Sequence, residues 1–158
     1  MRIFFDTEFI EDGHTIDLIS LGMVREDGSE LYRVSADFDA TRASPWVKDH
    51  VLPLISHEDR WARYLIANKV KTFCGTSPEF WGYYADYDWV VLCQLFGTMM
   101  ELPTGWPCYC RDLRQSLDEV GLKKITSPKD DPHHALENAR WIKTTWMYYH
   151  TPQTMGRE

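Results

Sequence analysis

The sequence predicts an α/β layered domain built on a mixed sheet flanked by helices. Three observations carry that reading. Three strand-like segments follow one another at the N-terminus, joined by tight turns. Helical periods come next. Strands and helices then alternate to the C-terminus, as in layered α/β domains. At 158 residues the chain is expected to form one domain with one sizeable core, over residues 1–150, followed by a short tail at 151–158.

Residues 2–10, RIFFDTEFI, read as the first strand. GHT at 13–15 is a turn, and IDLISLGMVRE at 16–26 a second strand. The Asp-Gly of EDGS turns the chain into a third strand at 30–38, ELYRVSADF. Ser44-Pro45 has the form of a helix cap followed by a first-turn proline. Ser56 and Asp59 have the spacing of a capping box, and the helix behind them is expected to turn Trp61, Leu65 and Phe73 inward. EFWGYY, 79–84, reads as a short buried strand. DWVVLCQLFG, 88–97, has the helix pattern of an opening Asp cap and a closing Gly. CYCRDL leads from a short strand into the helix LRQSLDEVG. SPKDDP, 127–132, is a polar loop, and the chain from His133 to His150 is the last helix.

Composition excludes several classes. Hydrophobic content of 44% and charged content of 26% describe a globular protein, not a disordered one. No apolar run approaches the ~20 residues of a membrane helix, and the N-terminus lacks a signal-peptide pattern, so a cytoplasmic location is expected. The four cysteines are expected to be reduced thiols. A net charge of −7 argues against a broad nucleic-acid wrapper, which would be basic, but not against an enzyme that grips a strand end.

The first strand holds two residues that a core strand should not. Strand alternation puts Asp6 and Glu8 on one face, with Phe4 ahead of them, and Ile3, Phe5 and Phe9 on the other. Two carboxylates side by side repel and lose hydration; a divalent cation between them relieves both costs. Asp86 and Asp88 stand at a strand-to-helix junction, and His133 and His134 at the start of the last helix. Together these groups would supply metal ligands and a general base for hydrolysis.

FFDTEF, YADYDWVVL and HHALENA resemble the three exonuclease motifs of the DEDD superfamily, in the DEDDh branch whose third motif is H-x-x-x-x-D. The longer strings DTEFIEDGHTIDLISLG and YDWVVLCQLFG are similar to the polyadenylate-preferring exoribonuclease AS group of mycobacteria and their phages, over nearly the whole chain. That resemblance implies a ribonuclease-H-like fold, a homodimer, and two Mg²⁺ or Mn²⁺ ions. It implies hydrolysis of single-stranded RNA from the 3′ end to nucleoside 5′-monophosphates, with adenylate preferred. By position, Asp6 would bridge both ions and Glu8 would hold the ion on the nucleophile side. Asp88 would assist through water, and His133 would take the proton from the attacking water.

One position departs from the pattern. Five residues after His133 stands Asn138, and the nearest acid is Glu137. At ~100° per residue, Ala135, Ala139, Ile142 and Trp146 form the inner face of the last helix; Asn138 borders it and Glu137 lies nearly opposite. Asn138 is therefore the positional equivalent of the fourth acid. Its amide oxygen can coordinate a hard cation but brings no charge, so weaker metal binding and a reduced rate are expected. A deliberate Asp→Asn change and a natural variant are both open, as is the choice of His133 or His134 as base. Phe9, Tyr87 and Trp89 are candidates for stacking on substrate, with Tyr84 near them. The backbone near Thr7 and the side chain of Glu8 are candidates for reading the terminal 2′-OH, and Arg111 and Arg114 for phosphate contact. Two rival readings stand beside the exoribonuclease: a DNA 3′-5′ exonuclease of the same superfamily, and a non-catalytic nucleic-acid binder on the same fold.

Overall fold

The computed structural model describes residues 1–55, 57–122, 125 and 133–150. The expected cap at Ser56, the loop 127–132 and the tail 151–158 lie outside the described residues. Among the described residues six strands form one mixed sheet in the order β4-β3-β2-β1-β5-β6. β1 (Arg2–Glu11), β2 (Ile16–Arg25) and β3 (Glu30–Ser35) are the expected antiparallel meander. β3 is shorter than the sequence pattern suggested. β4 (Arg60–Trp61) pairs parallel with β3, while β5 (Glu79–Gly82) pairs parallel with β1 and β6 (Arg111–Asp112) with β5. β1, like β3, is thus a strand where antiparallel pairing meets parallel pairing.

The helices are α1 (Pro45–His50), α2 (Arg63–Cys74), α3 (Asp86–Gln94), α4 (Leu113–Glu119) and α5 (Ala135–His150). Ser44 caps α1 as expected, accepting from the Val47 amide. α2 buries Ile66, Ala67, Val70 and Cys74. Leu65 is exposed and Trp61 belongs to β4, so the expected inner face was rotated by about one residue; Phe73 is half-buried. The reason is that α2 starts only at Arg63, so Trp61 packs against the same core from the edge strand, with Arg33 and Lys69 over its ring, and the helix phase that buries Ile66 and Val70 leaves Leu65 outside. All four cysteines are free thiols.

Two apolar clusters share the face of β1 that carries the acids. Phe4 packs with Trp81, Leu113, Leu117 and Ile142 under α4 and α5. Ile10 packs with Ile19, Val34, Val51 and Ile55 beside α1. The opposite face, with Ile3 and Phe5, packs on α2 and α3. β2 carries one residue more than β1, Ile19, between the pairs Glu8↔Ser20 and Phe9↔Leu18. This bulge lets Ile19 and Ser20 both serve the acid side while Leu18 returns to the other core. Asp6 and Glu8 occupy the interval between the two clusters. No helix among the described residues is long and apolar enough to cross a membrane.

Candidate active site

Asp6 and Glu8 are half-buried, on the same face of the central strand. Asn138 reaches them from the far end of the chain. Gly22 pairs with Asp6, and a Cβ on Gly22 would fall 2.3 Å from the Ala135 carbonyl carbon and the Leu136 amide nitrogen. Only glycine admits the first turn of α5 that close to the sheet. One turn later, Asn138 Nδ2 donates to Asp6 Oδ2 at 3.2 Å. Ala135, Ala139 and Ile142 are buried, and Glu137 is exposed and ion-paired to Arg140, as the helical spacing required.

Asp88 occupies a different environment from the expected cap. α3 begins two residues earlier, after Ala85, so Asp88 lies in its first turn. Its side chain is buried, and one oxygen, Oδ1, accepts from the Thr7 amide at 2.8 Å and the Thr7 hydroxyl at 2.5 Å. Burial pushes the Asp88 carboxyl up to about 6 against the pull of the two Thr7 bonds, with the Asp112 charge adding to the rise. Asp86 is exposed.

The two histidines divide. His134 stacks on Tyr32, ring centroids 4.4 Å apart, and its Nδ1 is buried with no protein partner among the described residues. Its backbone carbonyl accepts from the Asn138 amide at 3.1 Å. The Tyr32 phenol, buried beside Ser20 but outside hydrogen-bond geometry, is pushed up to about 12 by burial, with smaller effects from Glu58 and Glu8. His133 has φ 42°, a left-handed conformation uncommon for a residue with a side chain, and is half-buried beside Trp46.

The substrate-contact candidates divide too. Phe9 and Tyr87 stack on each other, centroids 6.0 Å apart and planes 16° apart, with Tyr87 exposed. Trp89 is packed in the core against Phe5 and Phe80 and is closed to a base. The Thr7 amide and hydroxyl are both committed to Asp88, so they are not open to a ribose hydroxyl. Arg114 is buried and bound to Asp118 and the Leu122 carbonyl. Arg111 lies beside Glu79 and over Trp81. The missed link is Thr7–Asp88; a β-branched hydroxyl between two acids gave no distinctive signal of it.

Chemically, the set is three carboxylates, one amide oxygen and an imidazole. Hard oxygen donors of this kind suit Mg²⁺ or Mn²⁺. Among the described residues no three His, Cys, Asp or Glu side chains converge into a metal-binding group; Asp88 turns to Thr7, and Asp6 accepts from an amide, Asn138, rather than facing another acid.

The model of the Rv2179c-like 3′-5′ exoribonuclease domain matches residues 1–150. Two relatives are the 3′-5′ exoribonucleases MT2234.1 and Rv2179c, from the CDC 1551 and H37Rv strains of Mycobacterium tuberculosis. Each is 46% identical over 147 residues, covering 89% of this chain and 88% of the relative.

Proposed function

The chain belongs to the family of Rv2179c-like 3′-5′ exoribonuclease domains, and from that membership we propose that it hydrolyses single-stranded RNA from the 3′ end, at a rate weakened by Asn138. The products are nucleoside 5′-monophosphates and the site is of the DEDDh kind. The observation that carries this reading is the contact between Asn138 and Asp6 across 132 residues, which joins the last motif to the first.

Asp6, Glu8, Asp88 and Asn138 would hold two Mg²⁺ or Mn²⁺ ions, which when bound supply Lewis acidity and a lowered water pKa. Asp6 and Glu8 set the negative face on a strand that the two flanking clusters hold rigid. Thr7 fixes Asp88 by two hydrogen bonds to one of its oxygens. His133 takes the proton of the attacking water at an imidazole nitrogen, with His134 kept out of that role by its stack on Tyr32. The Phe9–Tyr87 pair offers an aromatic surface to the terminal bases. The protein works as a cytoplasmic homodimer in this reading, which sedimentation tests.

The experiment is digestion of 5′-labelled single-stranded RNA, with DNA of the same sequence, in Mg²⁺, Mn²⁺ or EDTA. It is run on the chain as it stands and on Asn138→Asp. Expected is stepwise shortening from the 3′ end, faster in Asn138→Asp, with mononucleotide released and none in EDTA. DNA cut as fast as RNA overturns the RNA assignment. Asn138 itself favours the second reading, a non-catalytic RNA binder; a folded Asn138→Asp protein that binds RNA and cuts nothing would establish it.

A further inference from the structure

We propose that Trp46 on α1 is a positioning residue for His133; the inference rests on the reading of His133 as general base. The Trp46 and His133 rings meet at 4.5 Å between centroids, planes 80° apart. Trp46 is itself held. Ser44 accepts from the Val47 amide at 3.2 Å and Pro45 starts the helix, so the turn that carries the indole is rigid. His50, one turn on, stacks on the indole at 4.9 Å with planes 14° apart. Its Nδ1 donates to the Trp46 carbonyl at 2.9 Å, which fixes its ring. Behind the helix, Val47 and Val51 pack with Ile10 and Val34, the cluster on the acid side of the sheet. The indole is therefore tied through core packing to the strand that carries Asp6 and Glu8.

His133 needs such a seat. Its backbone is in the left-handed region, and the next residue, His134, is pinned on Tyr32. Trp46 restrains the side chain from the other side. Yet the indole remains 48% exposed, so it is not a core element whose loss opens a cavity. A general base must stand within about 0.5 Å of its working place, and a misplacement of about 1 Å costs on the order of 100-fold in rate.

The test uses the Asn138→Asp protein as parent, with Trp46→Leu and Trp46→Phe added. Trp46→Leu is expected to lower kcat by about 10- to 100-fold with KM within about threefold, and Trp46→Phe to restore most of it. Independently of activity, NMR of the chain as it stands reads the ring protons of His133, assigned through His133→Gln. Trp46→Leu is expected to move them by loss of the indole ring current, leaving those of His134 in place. Unmoved His133 signals in a folded Trp46→Leu protein overturn the proposal. So does a rise in KM with kcat unchanged, which would make Trp46 a substrate contact. A parent with no activity at all removes the nuclease reading instead, while the NMR result still decides whether Trp46 seats His133.

Discussion

Asn138 Nδ2 stands 3.2 Å from Asp6 Oδ2, so the amide donates a hydrogen bond at the position where the motif resemblance leads one to expect a second carboxylate. The contact gives the substitution two opposite consequences. In EDTA, Asn138→Asp replaces an attraction with a like-charge pair and should lower stability by about 1–2 kcal/mol. With saturating Mg²⁺ the order should reverse, since the added charge tightens ion binding. Urea unfolding with and without Mg²⁺ reads both; a variant equally stable in the two conditions would show that no cation is held there.

Thr7→Val keeps the shape of the side chain and removes one of the two donors to buried Asp88. The expected loss is about 1–3 kcal/mol, visible as a lower Tm, and Thr7→Ser should recover most of it. Equal Tm values for Val and Thr at position 7 would mean that the hydroxyl is not holding Asp88.

Gly22→Ala puts a methyl into the backbone of α5 at 2.3 Å. The helix has to shift, and with it Asn138 and the segment that carries His133. The expected cost is about 1–3 kcal/mol together with weaker Mn²⁺ binding. Calorimetry of both quantities tests this; an unchanged Mn²⁺ affinity would separate the packing of α5 from the site.

Asp88 gives the ion-free protein a pH dependence of known sign. Its folded carboxyl is raised from the ordinary value of 3.8 to about 6, chiefly by burial. Between those values the folded state holds a proton that the unfolded chain has released, so the contribution of Asp88 to stability is greatest below about 4 and falls as pH rises through 6. The fall is on the order of 2 kcal/mol. Asp12, Asp27, Glu30 and Asp39 have lowered values, so their contributions run the opposite way and are lost as pH falls through and below 4.5 for Glu30 and 3.8 for the three aspartates. Unfolding in EDTA from pH 4 to 7 should show the slope, and Asp88→Asn should flatten it; a persistent slope would assign it to another group.

The two histidines should fail differently. His133→Gln is expected to cut the rate of the Asn138→Asp protein by on the order of 100-fold or more, with little change in Tm. His134→Gln should lower Tm through the lost stack on Tyr32 and leave most of the rate. Reversed effects would exchange their roles.

Much of this was legible in local pattern. The meander, the cap at Ser44, the acid face of β1 and the outward turn of Glu137 all follow from periods of two and 3.6, which depend only on neighbours along the chain. Those periods place Asn138 at the border of the inner face of α5 without reference to any other strand. What the tertiary structure decided were the pairings across long separations. Asp88 reads as a helix cap in sequence, but the sheet brings Thr7 under it and turns it into a buried, hydrogen-bonded acid. Trp89 reads as an aromatic beside the site, but the packing of α3 on the far face of the sheet takes it into the core. Gly22 carries no functional signal in sequence; its role appears only when α5 lies on it, because a missing Cβ matters only where another backbone arrives.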